Sequence, residues 1–343
     1  MATIFVINPG STSTKLALYG YVDPETNLEV KTSVSVPESE ELTRGVDAFV
    51  GSGDTGLILD CVVARGGLLR PCEAGIYQIN KKMLQDLEKN RYGVHASNYG
   101  ALVASKISQK WDCPAIIADP VTVDEFWPLS RYSGFPGIER RSRSHVLSIR
   151  AVARRVASEL GKSIEKTCLV VAHIGGGISV AALQNGRIVD VNDSHEGGPF
   201  TPQRAGSLPI LQLAELCFSG RYKNAAEVAE ELTRRAGLKA YLGSDDGASL
   251  IRKAETQEMH REVLEAMSYQ IAKEIGASAA ALDGEIEAVA LTGGLVREPV
   301  LGWILRRVEW IAPVFLYPGE LEMQALAEAG QRFLRGEESA QEY

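Results

Sequence analysis

The chain has 343 residues, with 45% hydrophobic and 23% charged side chains, the ordinary balance of a globular protein. This length suits two domains better than one. The formal net charge of -8 excludes broad binding to nucleic acids or anionic membranes, because such partners require a basic surface. The first residues lack the pattern of a signal peptide, and no apolar run approaches the length of a membrane span. Five scattered cysteines without a CxxC pair predict reduced thiols, so we expect a cytoplasmic protein.

Strand-like and helix-like segments alternate along the chain, a pattern typical of an α/β protein. Short apolar runs that end at Gly, Pro or Asn predict strands over residues 3–10, 14–22, 57–67, 113–121, 167–177, 178–183, 186–191 and 288–294. Apolar residues spaced three and four apart predict helices over residues 99–111, 144–162, 208–220, 224–237 and 260–282.

An internal repeat relates two of these regions. Residues 4–22 resemble residues 169–191 at an offset of 165, so that Asn8 falls on His173. Each copy reads as three strands joined by short polar turns, which favours antiparallel hairpins. We therefore predict two similar domains that face each other across a cleft. The predicted domains comprise residues 1–147 with a returning C-terminal segment 319–343, and residues 148–318.

Small polar turns follow three of the predicted strands. Glycine lets a backbone approach a ligand closely, and clustered N–H groups and hydroxyls form a concave anion site. One such turn alone is more typical of an ordinary hairpin, but three of them, two in repeat register, favour a nucleotide in the cleft. No Walker A motif is present, and no GxGxxG follows a strand. The candidates are Ser11, Thr12, Ser13 and Lys15 in the first turn, Gly175, Gly176 and Gly177 in the second, and Gly293 and Gly294 in the third.

Polar residues also stand at the ends of predicted strands, where the residues of a cleft belong. Arg65 closes a buried strand, a position suited to gripping a planar oxyanion with two parallel hydrogen bonds. Asp119 closes another strand and is either a cleft residue or an Asx turn before a proline. His173 closes a strand beside three glycines, and Arg204 lies in a constrained loop rich in Pro and Gly. Taken alone, His95 is interpreted as a helix-start residue.

The other histidines, His145, His195 and His260, are interpreted as surface or packing residues. The basic run at residues 138–145 is interpreted as the solvated start of a helix near the domain hinge. Neither pattern predicts a binding site.

Nine short segments share a further pattern: "NPGSTSTK", "VARGG", "HASN", "DPVTVDEF", "SGFPGIERRS", "HIGGGISV", "GPFTPQRAGSLP", "LTGG" and "APVFLYPGE". Together they resemble the butyrate kinase family, which belongs with the acetate kinases in the actin-like, sugar-kinase-like ATPase superfamily. The resemblance runs from residue 4 to about residue 335. It implies a duplicated actin-like (ribonuclease H-like) fold, and a direct in-line transfer of phosphate between ATP and a short-chain carboxylate.

The resemblance also implies residue roles, with ATP or ADP and Mg²⁺ as cofactors. Five residues are implied to be catalytic. Arg65 and Arg204 clamp the carboxylate and phosphoryl oxygens. His173, with His95 nearby, stabilises the oxygens in transit, and Asp119 orients Mg²⁺. The implied contacts to phosphate and adenosine are Asn8, the hydroxyls of residues 11–13, Lys15, Gly175, Gly176, Gly177, Ser244, Asp245, Gly293, Gly294 and Leu295. The second residue that directs the metal is either Glu320 or Glu322.

Four residues are implied to line the acyl pocket: Gly67, Val94, Ala172 and Pro202. Gly67 and Ala172 stand where acetate kinases carry larger residues, which predicts room for a longer acid. Each added buried methylene contributes about 0.8 kcal/mol. We therefore predict butyrate or isobutyrate over acetate or propionate, and expect Gly67→Val to shift the preference toward shorter acids.

Two other kinds of protein in this superfamily are alternatives. A sugar kinase requires a catalytic aspartate that activates a hydroxyl, and the arginine pair would be surplus. An ATP-driven conformational switch such as actin requires further subdomains. The expected partners are ATP and a small carboxylate, without nucleic acid or membrane, in a homodimer or a larger homo-oligomer.

Overall fold

The computed structural model of the protein describes residues 2–10, 13–21, 28–37 and 58–343. The chain forms two compact units. Unit 1 comprises Met1–Asp124 and Leu321–Tyr343, and unit 2 comprises Glu125–Glu320. Within the described ranges, no helix combines the length and the apolar character needed to cross a membrane.

Each unit is built on one β-sheet. The strands of the described residues are β1 (Ala2–Pro9), β2 (Ser13–Tyr21), β3 (Glu29–Pro37), β4 (Cys61–Arg65), β5 (Ile76–Gln78), β6 (Ala115–Ala118), β7 (Cys168–Ile174), β8 (Ile178–Gln184), β9 (Arg187–Val191), β10 (Ala288–Gly293) and β11 (Val314–Pro318). The sheet of unit 1 has the order β3-β2-β1-β4-β6-β5, and that of unit 2 has the order β11-β10-β7-β8-β9. Strands β1, β4 and β6 run parallel, as do β7, β10 and β11.

Helices cover these sheets. Those in the described part of the chain are α1 (Lys81–Glu88), α2 (Asn98–Trp111), α3 (Val146–Glu159), α4 (Ile210–Phe218), α5 (Ala225–Arg234), α6 (Gly237–Leu242), α7 (Gly247–Ala254), α8 (Glu258–Ala281), α9 (Val300–Val308) and α10 (Glu322–Leu334). The side chains of Asn80, Asn224 and Asp246 cap α1, α5 and α7 by accepting a backbone N–H of the first turn. In unit 1, α2 and α10 pack on β1, β4 and β6; in unit 2, α3 and α8 pack on β7.

The central strands are buried along their length because helices pack on the parallel strands at the middle of each mixed sheet. In β1, the four residues Ile4–Ile7 have no exposed surface, and β4 is equally buried until its last residue, Arg65. Strand β7 repeats this pattern, with an apolar run followed by His173 near its end. Polar side chains therefore appear only where these strands end.

The predicted repeat is confirmed by the strand pairings. Strand β1 ends at Pro9 and β2 begins at Ser13, while β7 ends at Ile174 and β8 begins at Ile178. Both pairs of ends keep the offset of 165 seen in the sequence. The order β3-β2-β1-β4-β6 in unit 1 matches β9-β8-β7-β10-β11 in unit 2, each with an antiparallel three-stranded meander. The two units are therefore copies of one topology.

The boundary between the units falls at residue 124, earlier than the predicted boundary at 147. The segment that follows it is fastened to β9. The Trp127 N–H and the Ser130 hydroxyl donate to the Val189 carbonyl at 3.1 and 2.9 Å. Arg140 bonds to both carboxylate oxygens of Asp190, at 3.1 and 2.7 Å. These bonds place the segment in unit 2, and they show that Arg140 is ion-paired where we predicted a solvated helix start.

Tyr343 anchors the end of the chain in the core of unit 1. The Gln341 backbone pairs with β5, and the Tyr343 ring is buried among apolar side chains. The Tyr343 hydroxyl donates to Asp86 Oδ2 at 3.1 Å and accepts the Arg70 N–H at 3.2 Å. Burial and Asp86 raise the pKa of Tyr343 to about 12. The hydroxyl therefore stays protonated, as a donor to Asp86, across the neutral range.

Tyr343→Phe is expected to lower the free energy of unfolding by about 1–2 kcal/mol, because it leaves the Asp86 carboxylate and the Arg70 N–H short of one partner. Urea unfolding at pH 7 measures this loss. Tyr132→Phe is the matched control, since Tyr132 is 79% exposed. Equal midpoints for the two variants would show that the buried hydroxyl contributes nothing.

Candidate active site

In unit 1, the ends of β1 and β4 bring Arg65 to Asn8. The strands pair in parallel with Ile7 opposite Ala64, so the next residues of both lie side by side. Arg65 Nη1 lies 3.5 Å from Asn8 Oδ1. Arg65 Nε is buried and has no hydrogen-bond partner among the described residues. The guanidinium therefore retains a donor that an incoming oxyanion can use.

The charge environment of Arg65 is set by burial and one carboxylate. Burial lowers the pKa of Arg65, and the negative charge of Glu322, the first residue of α10, partly offsets this. Arginine has an ordinary pKa above 12, so the side chain remains charged at neutral pH. Of the two candidate glutamates, Glu322 lies in unit 1 and acts on Arg65, while Glu320 is an exposed residue of unit 2.

Asp119 follows β6, which pairs with β4 so that Ala118 lies opposite Arg65. It is buried and has a φ of 41°, in the left-handed region. Its Oδ1 accepts the Gly75 N–H at 2.9 Å, and its own N–H donates to the Gly75 carbonyl at 2.9 Å. Asp119 thus has a structural role in holding the loop before β5. Within the described ranges, no three His, Cys, Asp or Glu side chains form a metal cluster.

His95 lies at the start of α2, as the sequence predicts. Its Nδ1 accepts the Ser97 backbone N–H at 3.2 Å and lies 2.6 Å from the Ser97 hydroxyl. Since a backbone N–H only donates, Nδ1 is the acceptor and the neutral ring carries its proton on Nε2. These two contacts fix the orientation of the His95 ring.

Two of the four residues predicted to line an acyl pocket are closely packed within their own units. A Cβ on Gly67 would lie 2.6 Å from Asn98 Oδ1 and 2.8 Å from Leu87 Cδ2, so Gly67 is small because Asn98 and Leu87 pack against it. Ala172 is fully buried in the core of unit 2. The structure thus leaves no room at either residue, and Gly67→Val is expected to displace Asn98. Of the other two residues, Pro202 is buried and Val94 is 82% exposed.

In unit 2, His173 stacks on a histidine that sequence analysis assigned to packing. The rings of His145 and His173 lie 4.1 Å apart at an angle of 12°. His145 Nδ1 lies 2.9 Å from the hydroxyl of Ser179, which is the β8 residue paired with His173. Ser179 is fully buried, so this contact fixes the His145 ring. His145 is the second residue of the helix predicted over residues 144–162, and no sequence pattern distinguished it from a surface or packing histidine.

Arg204 meets both histidines at the glycine turn. Its Nη1 donates to the Ser194 carbonyl at 2.6 Å. A Cβ on Gly177 would lie 2.6 Å from Arg204 Nη1 and 2.9 Å from His145 Cε1. The absence of a side chain at Gly177 therefore lets the guanidinium and the imidazole approach the turn, with the His173 ring stacked behind.

A second arginine contributes to the field at Arg204. Arg143 Nε donates to Asp193 Oδ2 at 2.7 Å, and Arg143 Nη2 donates to Glu196. Burial lowers the pKa of Arg204, the negative charge of Asp193 raises it, and the positive charge of Arg143 lowers it. Arg143 belongs to the basic run that we interpreted as a solvated helix start, and the structure instead pairs it with two carboxylates. Arg204 therefore lies in a charged cluster in which two arginines are balanced by two carboxylates.

Two further loops that are predicted to contact the nucleotide are held in place by close packing and hydrogen bonds. Gly293 has a φ of 108°, and a Cβ there would lie 2.3 Å from the Ile174 carbonyl. Leu295 donates its N–H to the same carbonyl at 3.0 Å, so the third glycine turn is joined to the end of β7. In the loop before α7, Asp245 Oδ2 accepts from Gln203 Nε2 at 2.9 Å.

The first glycine turn is described only in part. Ser11 and Thr12 lie outside the described residues. Gly10 donates its N–H to the Ser13 carbonyl at 2.9 Å, which closes the turn, and Lys15 is exposed on β2. Lys15 pairs with Asn8 across the meander, so both residues belong to the same end of the sheet.

The segment that carries His145, His173 and Arg204 is similar in sequence to a known protein family. Residues 136–301, a little under half of the chain and wholly within unit 2, match the model of the acetokinase family. The part with the more complete polar cluster is therefore also the part with that family's sequence pattern.

Solved structures similar to this chain include acetate kinase from Porphyromonas gingivalis, with 20% identity and a TM-score of 0.78 over 96% of this chain and 99% of that one. A propionate kinase from Francisella tularensis has 16% identity and a TM-score of 0.76 over 96% and 99%. Acetate kinase from Entamoeba histolytica has 14% identity and a TM-score of 0.77 over 97% and 100%. These matches confirm the predicted duplicated actin-like ATPase fold.

Proposed function

We propose that this protein transfers a phosphoryl group reversibly between ATP and a short-chain carboxylate, forming an acyl phosphate and ADP. The observation that carries the proposal is the cluster of Arg204, His145 and His173 around Gly177, inside the segment that matches the acetokinase family. Such a cluster suits a phosphoryl group, whose charge lies on oxygens that need fixed donors.

The reaction requires that the carboxylate and ATP be held in position and that their negative charges be neutralised. The carboxylate oxygen forms a bond to the γ-phosphorus, and the bond from that phosphorus to the bridging oxygen breaks with its electron pair passing to ADP. A carboxylate is already a competent nucleophile, so no strong base is required. We propose that Arg65, beside Asn8, binds one anion and that Arg204 binds the phosphoryl oxygens, because these anions otherwise repel each other.

The residues fit a magnesium ion that is held chiefly by the nucleotide. Mg²⁺ commonly binds through one or two carboxylates, phosphate oxygens and water, so the lack of a three-residue cluster in the described ranges is compatible with it. We propose that Asp119 and Glu322 orient the ion, since Glu322 acts on Arg65. When bound, the ion would supply further neutralisation of the phosphate charge.

Butyrate or isobutyrate is the proposed acid, supported by the sequence blocks of the butyrate kinase type. The pocket argument from Gly67 and Ala172 gives this choice no support, because both sites are filled. Acetate or propionate is the alternative, favoured by the names of the similar solved structures.

The test is a hydroxamate assay with ATP, Mg²⁺, hydroxylamine and a panel of C2 to C6 acids. Hydroxylamine traps an acyl phosphate as a hydroxamate that gives a coloured ferric complex. We expect colour that is greatest with the C4 acids and depends on ATP. Absence of colour with every acid would overturn the proposal. Release of ADP when a sugar replaces the acid would support the sugar-kinase alternative.

His145→Ala is expected to lower kcat by about 10- to 100-fold, because the His173 ring loses the neighbour that fixes its plane. His145→Phe retains the stacking and loses the contact with Ser179, so we expect it to recover part of the rate. Steady-state kinetics with a separate KM for each substrate measures both effects. His195→Ala, at an exposed position, is the control. An unchanged kcat for His145→Ala would remove His145 from the site.

A further inference from the structure

The turn that carries Arg204 is seated on the start of helix α6. The Thr201 carbonyl accepts the Leu238 N–H at 3.0 Å, and the Pro202 carbonyl accepts the Lys239 N–H at 2.9 Å. A Cβ on Gly237, which has a φ of 62°, would lie 1.8 Å from the Thr201 carbonyl oxygen. The turn therefore packs directly on the backbone of Gly237, which has no side chain to obstruct it. The position of the turn is thus tied to the position of α6.

The other end of α6 leads directly into the loop proposed to hold adenosine. Gly243 ends the helix in the left-handed conformation, and Ser244 and Asp245 follow. Asp245 Oδ2 accepts from Lys239 Nζ at 3.1 Å and from Gln203 Nε2 at 2.9 Å. Gln203 directly precedes Arg204 in the chain. The hydrogen bond between the Gln203 and Asp245 side chains therefore links the Arg204 turn to the 243–246 loop directly. This link is additional to the one that runs through the backbone of α6.

We infer that Gln203, Lys239 and Asp245 are positioning residues that join the Arg204 turn and the 243–246 loop into one body, so that nucleoside binding at the loop orders Arg204. The inference rests on the proposed function. Gln203 is exposed, so its bond adds little to stability, and a stability role alone would not require a link between these two loops.

The consequence for turnover is a coupling between the two sites. With the link intact, ordering of the loop by the nucleoside reduces the freedom of the Arg204 turn before the phosphoryl group reacts. Loss of one exposed hydrogen bond of this kind is expected to lower kcat by roughly threefold to tenfold. The KM for the carboxylate should stay unchanged, because we propose that Arg204 binds the phosphoryl oxygens.

Hydrogen–deuterium exchange of the whole protein with adenosine tests the inference. Adenosine is the probe because it lacks phosphates that could contact Arg204 directly. We expect saturating adenosine to slow exchange in peptides over residues 243–246 and also over residues 199–206, where the Thr201 and Ala205 amides are hydrogen-bonded. In Gln203→Ala, the effect should remain at 243–246 and vanish at 199–206. Gln212→Ala, at an exposed position on α4, is the matched control.

A second pair of variants separates the link from general damage. Gln203→Glu places two carboxylates together and should abolish the response of residues 199–206. Adding Asp245→Asn restores a donor opposite the new carboxylate and should restore that response. Protection confined to 243–246 in the wild-type protein would overturn the inference. Failure of adenosine to bind would overturn it as well, while the hydroxamate assay judges the proposed function separately.

Discussion

Replacing Arg65 by lysine is expected to lower kcat/KM for acyl phosphate formation by about a thousandfold, the scale of an arginine that neutralises a transferring phosphoryl group. The planar guanidinium offers two parallel N–H donors to an oxyanion, and a lysine ammonium in the same place is a single point charge. Arg65 Nε is buried and has no hydrogen-bond partner in the described part of the chain, so the native site already has a donor to use. Steady-state kinetics by ADP release measures the loss.

Arg70→Lys is the matched control for that variant. Arg70 is an exposed residue of the same unit whose guanidinium lies 4.7 Å from the centre of the Tyr343 ring, where lysine keeps the charge. We expect its kcat/KM to stay within about twofold of the wild-type value, as for a surface substitution. Comparable losses in both variants, or none in Arg65→Lys, would remove Arg65 from the proposed chemistry.

Gly177→Ala is expected to lower kcat about a hundredfold, the effect of a displacement near 1 Å in a catalytic group. The added methyl would enter the space of Arg204 Nη1 and His145 Cε1. The backbone itself tolerates alanine, because the φ of Gly177 lies outside the left-handed region. The variant should therefore fold normally and lose activity, which circular dichroism and kinetics together can establish.

Two other glycines give the comparison for Gly177→Ala. Beyond its own helix backbone, a Cβ on Gly276 in α8 would meet no described heavy atom within 4 Å, so Gly276→Ala should leave kcat unchanged. A Cβ on Gly176 would likewise meet no described atom beyond its chain neighbours, so a loss in Gly176→Ala would report the close approach of a ligand to the turn. Wild-type kcat in Gly177→Ala would contradict the arrangement of Arg204 and His145 described above.

The sequence predicted the fold well because its signals are local. The repeat of strand, turn and strand lies within about twenty residues, and its offset of 165 survives in the strand ends, Pro9 with Ile174 and Ser13 with Ile178. Apolar runs identified the buried central strands for the same reason. Short elements such as β5, with three residues, carry too little pattern to be predicted.

The candidate site was predicted only in part because its contacts join distant segments. His145 and His173 are 28 positions apart in the numbering and meet by stacking, which no spacing rule reveals. Gly67 shows the opposite error: a small residue suggested an empty pocket, but Asn98, from the start of α2, fills the space. A small residue in a sequence is compatible with a closely packed position as well as with an open pocket, so its size alone does not distinguish the two.

The matching hairpins of the two units show how a duplicated chain can specialise. Asn8 and His173 occupy equivalent strand positions, yet the first is an amide beside a guanidinium and the second an aromatic ring in a stack. The two units therefore carry different chemistry at equivalent positions of their first strands. Exchanging the side chains of Asn8 and His173 would test whether the role of each residue is determined by its position or by its residue type.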